Sequence, residues 1–346
     1  MPAPALRRWG IVGAGAWGTA LAVTVVRAGG EPFVWAHRAE TAERINKTRA
    51  NPDYLPGIEL PPPVKATAVL SDLAACEAIL FALPAQSLRG VASGMAGHLP
   101  AATPLVIACK GIEQGSAKPM AVVLAECLPG HPVAVLSGPT FAAEVAAGLP
   151  SAATVAAADP ALGRRIAAAL GSSRFRLYWS DDVVGVELGG AVKNVLAIAC
   201  GIVLGRKLGE NARAALIARG LAEMLRLGTA MGARAETLMG LSGLGDLVLT
   251  CSSRQSRNFS LGVALGEGQA LDAYLAGRRT VAEGLYSAAA VCRLAERARV
   301  EMPISAAVDA ILNRGAAIES AVEMLLQRPL RSESAGLEEP SPIRRA

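Results

Sequence analysis

The sequence predicts two parts of different class: an N-terminal doubly wound α/β domain, then an all-α domain. Three observations carry that reading. A glycine turn between two apolar, strand-like runs opens the chain. Short apolar runs separated by helical stretches continue to about residue 185. Helical patterns alone then run to about residue 328. At 346 residues the chain is too long for one compact core. The expected divisions are 1–186, 187–328 and a disordered tail over 329–346, which is rich in Pro, Ser and charge.

The first strand is read at Arg7 to Val12. Gly13-Ala-Gly15-Ala-Trp-Gly18 follows and fits GxGxxG. A small-residue helix runs from Thr19 to Ala28, and a second strand from Pro32 to Arg38. Strand, glycine turn, helix, strand is the Rossmann-type order. Gly13 permits the tight turn, Gly15 lets the backbone approach a pyrophosphate, and Gly18 lets helix and strand pack closely. The anion would then meet the N–H groups and dipole at a helix start. The competing reading is export. Arg7 and Arg8 precede a stretch, Trp9 to Val26, without charge. Four glycines in its first half make it a poor helix, and no cleavage site with a polar mature start follows.

The end of the second strand bears on the cofactor. An acidic residue there would hold a ribose 2′-OH. This chain has His37 and Arg38, and a cation suits a 2′-phosphate. NADP(H) is therefore favoured, and nearby Glu40 leaves NAD(H) open.

Further strands are read at Ala78 to Leu83, Leu105 to Lys110, Val133 to Leu136, Ser151 to Ala156 and Phe175 to Trp179. Ligands of such sheets bind beyond the carboxyl ends of the strands. Pro84 with Gln86, Lys110 with Gly111, and Gly138-Pro139-Thr140 stand there. Lys110 interrupts an apolar strand end, as a functional lysine or as one that snorkels.

After Asp181 and Asp182, which could cap it, a long apolar helix carries Lys193 and Asn194 among small residues. Glu187, Lys193 and Asn194 make a membrane span expensive. A buried ammonium needs a partner or a lowered pKa, and a lowered pKa suits proton transfer near neutrality. Asp246 follows the glycine-rich stretch Leu241 to Gly245, either as partner or as helix cap. Ser253 to Asn258 holds two arginines with Ser and Asn, a natural phosphate grip. Thr280 to Gly284 is a polar break between helices.

Composition sets bounds. Hydrophobic residues are 52%, charged 18% and aromatic only 4%, so the core is built from Ala, Val, Leu and Ile. The net charge of +5 is scattered and not interleaved with aromatics, which argues against nucleic acid and for a local basic pocket taking a small phosphorylated ligand. The six cysteines form no CxxC and none neighbours a histidine. That argues against zinc or a disulfide framework and fits a reduced, cytoplasmic protein.

The chain resembles the bacterial NAD(P)-dependent glycerol-3-phosphate dehydrogenases from about residue 8 to 328. The carriers are GAGAWGTALA at 13–22, NPDYLPG at 51–57, CKGIE at 109–113, SGPTFAAEVA at 137–146, GAVKNVLAIACGI at 190–202, GLSGLGDLVLTC at 240–251, SRN at 256–258 and TVAEG at 280–284. Ala16 and Thr140 stand where many relatives have Ser. The resemblance implies reversible reduction of dihydroxyacetone phosphate to sn-glycerol 3-phosphate by NAD(P)H, supplying phospholipid synthesis. It implies Lys193 as acid/base and Lys110 near cofactor and substrate. Gly138, Thr140, Asp246, Ser256, Arg257 and Asn258 would meet the substrate. Ala16, Trp17, His37, Arg38, Ala142, Arg257, Val281 and Glu283 would meet the cofactor. A homodimer through the α-domain is implied, and no metal. The remaining rivals are a related β-hydroxyacid or ketopantoate-type reductase, a non-catalytic NADP-binding regulator and a membrane protein.

Overall fold

The computed structural model describes residues 6–276, 282–330 and 332. The expectations for Val281 and for the tail, apart from 329, 330 and 332, lie outside them. Ten strands are present among the described residues: β1 Arg8–Val12, β2 Glu31–Trp35, β3 Ala50–Asn51, β4 Leu55–Glu59, β5 Lys65–Thr67, β6 Ala78–Phe81, β7 Leu105–Ile107, β8 Val133–Ser137, β9 Ser151–Ala157 and β10 Phe175–Ser180. Eight form one sheet in the order β10-β9-β8-β7-β6-β1-β2-β5. Neighbours from β5 to β8 are parallel, β8 and β9 are antiparallel, and β9 and β10 are parallel again. The sheet is doubly wound with a reversed pair at one edge. Its inner strands β1 and β6 are buried apolar runs, as parallel strands covered on both faces must be. The strand order reverses direction between β1 and β6, which opens a crevice beyond their carboxyl ends.

Several boundaries differ from the sequence reading. The helix after the glycine turn begins at Ala16, not Thr19. β2 stops at Trp35 and β7 at Ile107, so His37, Arg38 and Lys110 lie in loops beyond the strand ends. The β3–β4 hairpin and β5 were not foreseen, because NPDYLPG and PPP read as loop. The hairpin seats Leu55 on Ala20 and Ala146, next to Trp17 and Ala142.

The helix Val183–Gly205 runs through the middle of the α-domain and is buried almost all round. It is long and apolar enough to cross a membrane, but 89% of its most apolar window lies inside the protein. Of the two aspartates read as caps, only Asp182 caps this helix. Its Oδ1 accepts from Gly185 N at 2.8 Å and its Oδ2 from Arg234 N at 2.8 Å. Asp181 instead pairs with the Arg234 side chain. The closest neighbour of the long helix is the helix Arg257–Gly266. A methyl at Gly201 would strike Phe259 O, and one at Gly262 would strike Ile198 O. The two main chains therefore touch. That contact sets the start of the second helix beside Lys193 and Asn194.

Candidate active site

The glycine turn is built for an anion. Gly13 has φ +121°, and a Cβ there would stand 2.7 Å from Ala82 O. Its N–H donates to Trp35 O at 3.0 Å, tying the turn to β2. Gly15 precedes the helix Ala16–Arg27, which no side chain caps. A Cβ at Gly15 would meet no heavy atom within 4 Å, so the space before the helix start is open. Uncapped N–H groups facing open space fit a pyrophosphate. A Cβ at Gly18 would run into Gly13 O. Ala16 and Trp17 thus form the first helical turn. Sequence reasoning gave Asn51 no role of its own. Its buried Nδ2 donates to Ala14 O at 2.8 Å and Thr19 Oγ1 at 2.9 Å, stapling the turn from the hairpin.

Beyond β2 the His37 ring stands edge-on to Trp35, with ring centres 5.9 Å apart. Arg38 is exposed, and its Nη2 donates to Tyr54 Oη at 3.0 Å. A guanidinium beside a phenol at this place suits a phosphate monoester better than a bare ribose.

At the centre two ammonium groups share one carboxylate. Lys110 Nζ donates to Asp246 Oδ2 at 2.6 Å and to Gly138 O at 2.8 Å. Lys193 Nζ donates to Asp246 Oδ1 at 2.6 Å and to Thr250 Oγ1 at 2.8 Å. Asp246 is fully buried and opens the helix Asp246–Cys251 without capping it by its side chain; the lysines take its oxygens. Lys193 is 6% exposed. Burial pulls its pKa down to about 8, against the attraction of Asp246 and with the help of the Lys110 charge. Gly190 lets this happen, since a Cβ there would sit 2.6 Å from Ser137 Oγ and 3.4 Å from Lys110 Cγ. Gly138 lies against Ala153, whose Cα would be 2.7 Å from an added Cβ. Thr140 Oγ1 donates to Gly138 O at 3.1 Å.

The helix Arg257–Gly266 points its start at this centre. Ser256 caps it, accepting from Phe259 N at 3.2 Å. Arg257 is exposed in the first turn. The Asn258 side chain is turned inward. Its Nδ2 donates to Asn194 Oδ1 at 2.9 Å and its Oδ1 accepts from Gly284 N at 2.8 Å. Asn258 therefore offers the site its main-chain N–H, not its amide. Asn194 in turn reaches Lys110 O at 3.4 Å. Glu283 opens the helix Glu283–Ala298; its Oε1 accepts from Ala85 N at 3.2 Å, while its buried Oε2 has no partner among the described residues. Burial pushes its carboxyl up to about 7, opposed by the Arg257 charge. Trp17 Nε1 and the hydroxyls of Ser137 and Ser242 are likewise buried and unpartnered among the described residues, so the cleft keeps polar atoms in reserve. Ala142 begins a short helix, Ala142–Ala147, beside Trp17. Gln86 braces the neighbouring loop, donating to Ile112 O and accepting from Gln114 N, each at 2.8 Å.

The arrangement thus offers a nucleotide turn, a shared proton-bearing centre, and a helix start with an arginine on one cleft. Two family models match the chain. The one described as NAD-dependent glycerol-3-phosphate dehydrogenase N-terminus covers residues 9–163, and its C-terminus counterpart covers 182–323. A glycerol-3-phosphate dehydrogenase (NAD(P)+) of Rhodospirillum rubrum is 56% identical over 93% of each chain. That of Caulobacter vibrioides is 55% identical over 94% of this chain and 98% of its own. The crystal structure of the glycerol-3-phosphate dehydrogenase of Coxiella burnetii superposes with a TM-score of 0.90 at 41% identity, covering 94% of this chain and all of the other. The chain belongs to the NAD-dependent glycerol-3-phosphate dehydrogenase family and is an oxidoreductase that uses a pyridine nucleotide.

Proposed function

We propose that this enzyme reversibly reduces dihydroxyacetone phosphate to sn-glycerol 3-phosphate, the reaction that feeds glycerophospholipid synthesis. The observation that carries the mechanism is the buried Asp246 carboxylate holding Lys110 on one oxygen and Lys193 on the other. The bound nicotinamide cofactor supplies or accepts the hydride. Lys193 gives its proton to the oxygen that becomes the hydroxyl, and takes it back in the reverse direction. An ammonium held at about 8 is protonated at neutral pH yet gives up its proton readily. Lys110 stabilises the negative charge growing on that oxygen, and Asp246 keeps both cations in register. Gly138, Thr140, Ser256, Arg257 and the Asn258 N–H hold the phosphate end. Remote binding is thereby turned into orientation at the carbonyl carbon.

Gly13, Gly15, Ala16, Trp17 and Gly18 take the cofactor pyrophosphate. Ala142, Lys110, Arg257 and Glu283 would make further cofactor contacts, and the family resemblance adds Val281, which lies outside the described residues. His37 and Arg38, with Tyr54 behind, favour NADP(H), while NAD(H) is also accepted. Residues 1–186 form the nucleotide domain and 187–328 the substrate domain. The enzyme works in the cytoplasm as a homodimer. The test is NADPH oxidation with dihydroxyacetone phosphate beside unphosphorylated dihydroxyacetone. Turnover that requires the phosphate supports the reading. No turnover of the phosphate ester, with NADPH binding intact, overturns it.

A further inference from the structure

Glu187 lies less than two turns before Lys193 on the same buried helix. It has no place in the mechanism above, yet its side chain leaves its own domain. Oε1 accepts from Ala121 N at 2.8 Å, and the Met120 N–H also points to the carboxylate. Those amides open the helix Met120–Cys127, whose N-cap is Pro119 and which has no side-chain cap of its own. Glu187 is therefore that helix's cap, delivered across the domain boundary.

The capped helix is continuous with the loop that carries Lys110. Ile112 and Pro119 pair as an antiparallel bridge, and Glu113 N donates to Lys118 O at 3.0 Å. Arg89 grips Glu113 through both carboxylate oxygens, at 2.7 and 2.9 Å. With Gln86 bracing Ile112 and Gln114, residues 110–119 form one closed hairpin with Lys110 at its inner corner. The long helix meets this hairpin at Lys110, through Asn194, and packs against Ile112, and through Glu187 it holds the helix that follows.

We propose that Glu187 is a positioning residue: by capping the helix Met120–Cys127 it locks the 110–119 hairpin to the helix that bears Lys193, and so holds Lys110 on Asp246. The proposal rests on the reading of Lys110, Asp246 and Lys193 as the reacting centre. A buried carboxylate is a costly cap, because desolvation is not repaid by a cation; among the described residues main-chain amides bond to Glu187, and its charge is felt by the Cys109 thiol. A cap from within residues 110–119 would satisfy the same amides without linking the hairpin to the long helix.

The test compares Glu187→Ala and Glu187→Gln in the full chain. In Glu187→Ala, kcat should fall about 10–100-fold, as for a misplaced charge-stabilising donor. KM for NADPH should change far less than kcat, because the glycine turn is untouched and only the Lys110 contact is displaced. The limb of the kcat–pH profile due to Lys193 should move to higher pH. The charged and titratable groups facing Lys193 are Asp246, Lys110 and the Cys251 thiol; burial lowers its pKa most, and withdrawing the Lys110 cation removes the further lowering that adds to burial. Glu187→Gln keeps an acceptor oxygen and should restore both kcat and the limb. If Glu187→Ala does not fold, Glu187→Asp, one methylene short of the amides, should show the same two signatures. Lost thermal stability with an unmoved kcat and limb would overturn the proposal, and so would a Gln variant as impaired as Ala. Full activity in Lys193→Ala would instead sink the centre itself, a separate failure.

Discussion

The turn from Gly13 to Gly18 and the centre around Asp246 handle charge in opposite ways. The turn faces its ligand space with main chain: three glycines, an uncapped helix start and open space, held from behind by Asn51. It offers partial positive charge to solvent and waits for an anion. The centre uses side chains from residues 110, 193 and 246, the last two buried and the first half-buried, with two cations already paired on one carboxylate. The first is made from one contiguous stretch, with Asn51 of the hairpin as its one side-chain brace described above. The second exists only when both domains are packed, since its members are joined by tertiary structure alone. Binding and chemistry should therefore fail independently when each is damaged.

The sharpest way to break that comparison is Lys193→Ala. Losing a positioned acid/base group should lower kcat about 10²–10⁴-fold and leave the NADPH dissociation constant unchanged. Steady-state rates with a fluorescence titration check it. The wild-type pH dependence follows from the Lys193 pKa, held down to about 8 by burial. On the proposed mechanism reduction needs the ammonium, so its kcat should be level below that value and fall as pH rises through it. Oxidation needs the free amine and should rise over the same window. A nucleotide affinity that followed the same limb would mean that the two regions are not separate.

A paired substitution sharpens the other side. Gly15→Ala puts a methyl where only ligand space exists, so the melting temperature should hold while NADPH binding weakens about tenfold or more. Gly18→Ala drives a methyl into Gly13 O and should instead cost about 1–3 kcal/mol of stability. Thermal melts beside nucleotide titrations separate the two. The smallest effect is expected at the rim. Arg38→Ser should lower kcat/KM for NADPH about tenfold and leave NADH kinetics alone, read as the ratio of kcat/KM values.

What could be read from sequence follows the same division. GAGAWG was legible because its function is local, and seven strands were legible because buried parallel strands are continuous apolar runs. β5 and the β3–β4 hairpin were hidden under prolines, although the hairpin supplies Asn51 to the turn. The reversed direction of β9 and β10 has no local signature, since an apolar run carries no arrow. At the centre, Lys110, Lys193 and Asp246 stood out as charges interrupting apolar or glycine-rich stretches. Their convergence did not show, because spacings of this length say nothing about which helix crosses which. Asn194 and Glu187 showed only as polar residues in an apolar helix, and the partners of both, like that of Thr250, stayed hidden for the same reason. Each is an ordinary helical residue until its partner arrives from elsewhere.

The glycine contact between the two central helices has a metrological consequence. Phe259 O and Ile198 O already occupy the places where methyls at Gly201 and Gly262 would go. The helices cannot approach further, and parting them would open a void in the middle of the domain. The span from the Ser256–Asn258 helix start to the Lys193 main chain is thus a gauge block cut in peptide backbone, beyond which only the lysine side chain reaches. On the proposed mechanism a substrate is measured against it by length: phosphate at one end, carbonyl oxygen at the other. A molecule one carbon longer or shorter would seat one end and miss the other, and the selectivity would come from two residues that touch no ligand at all.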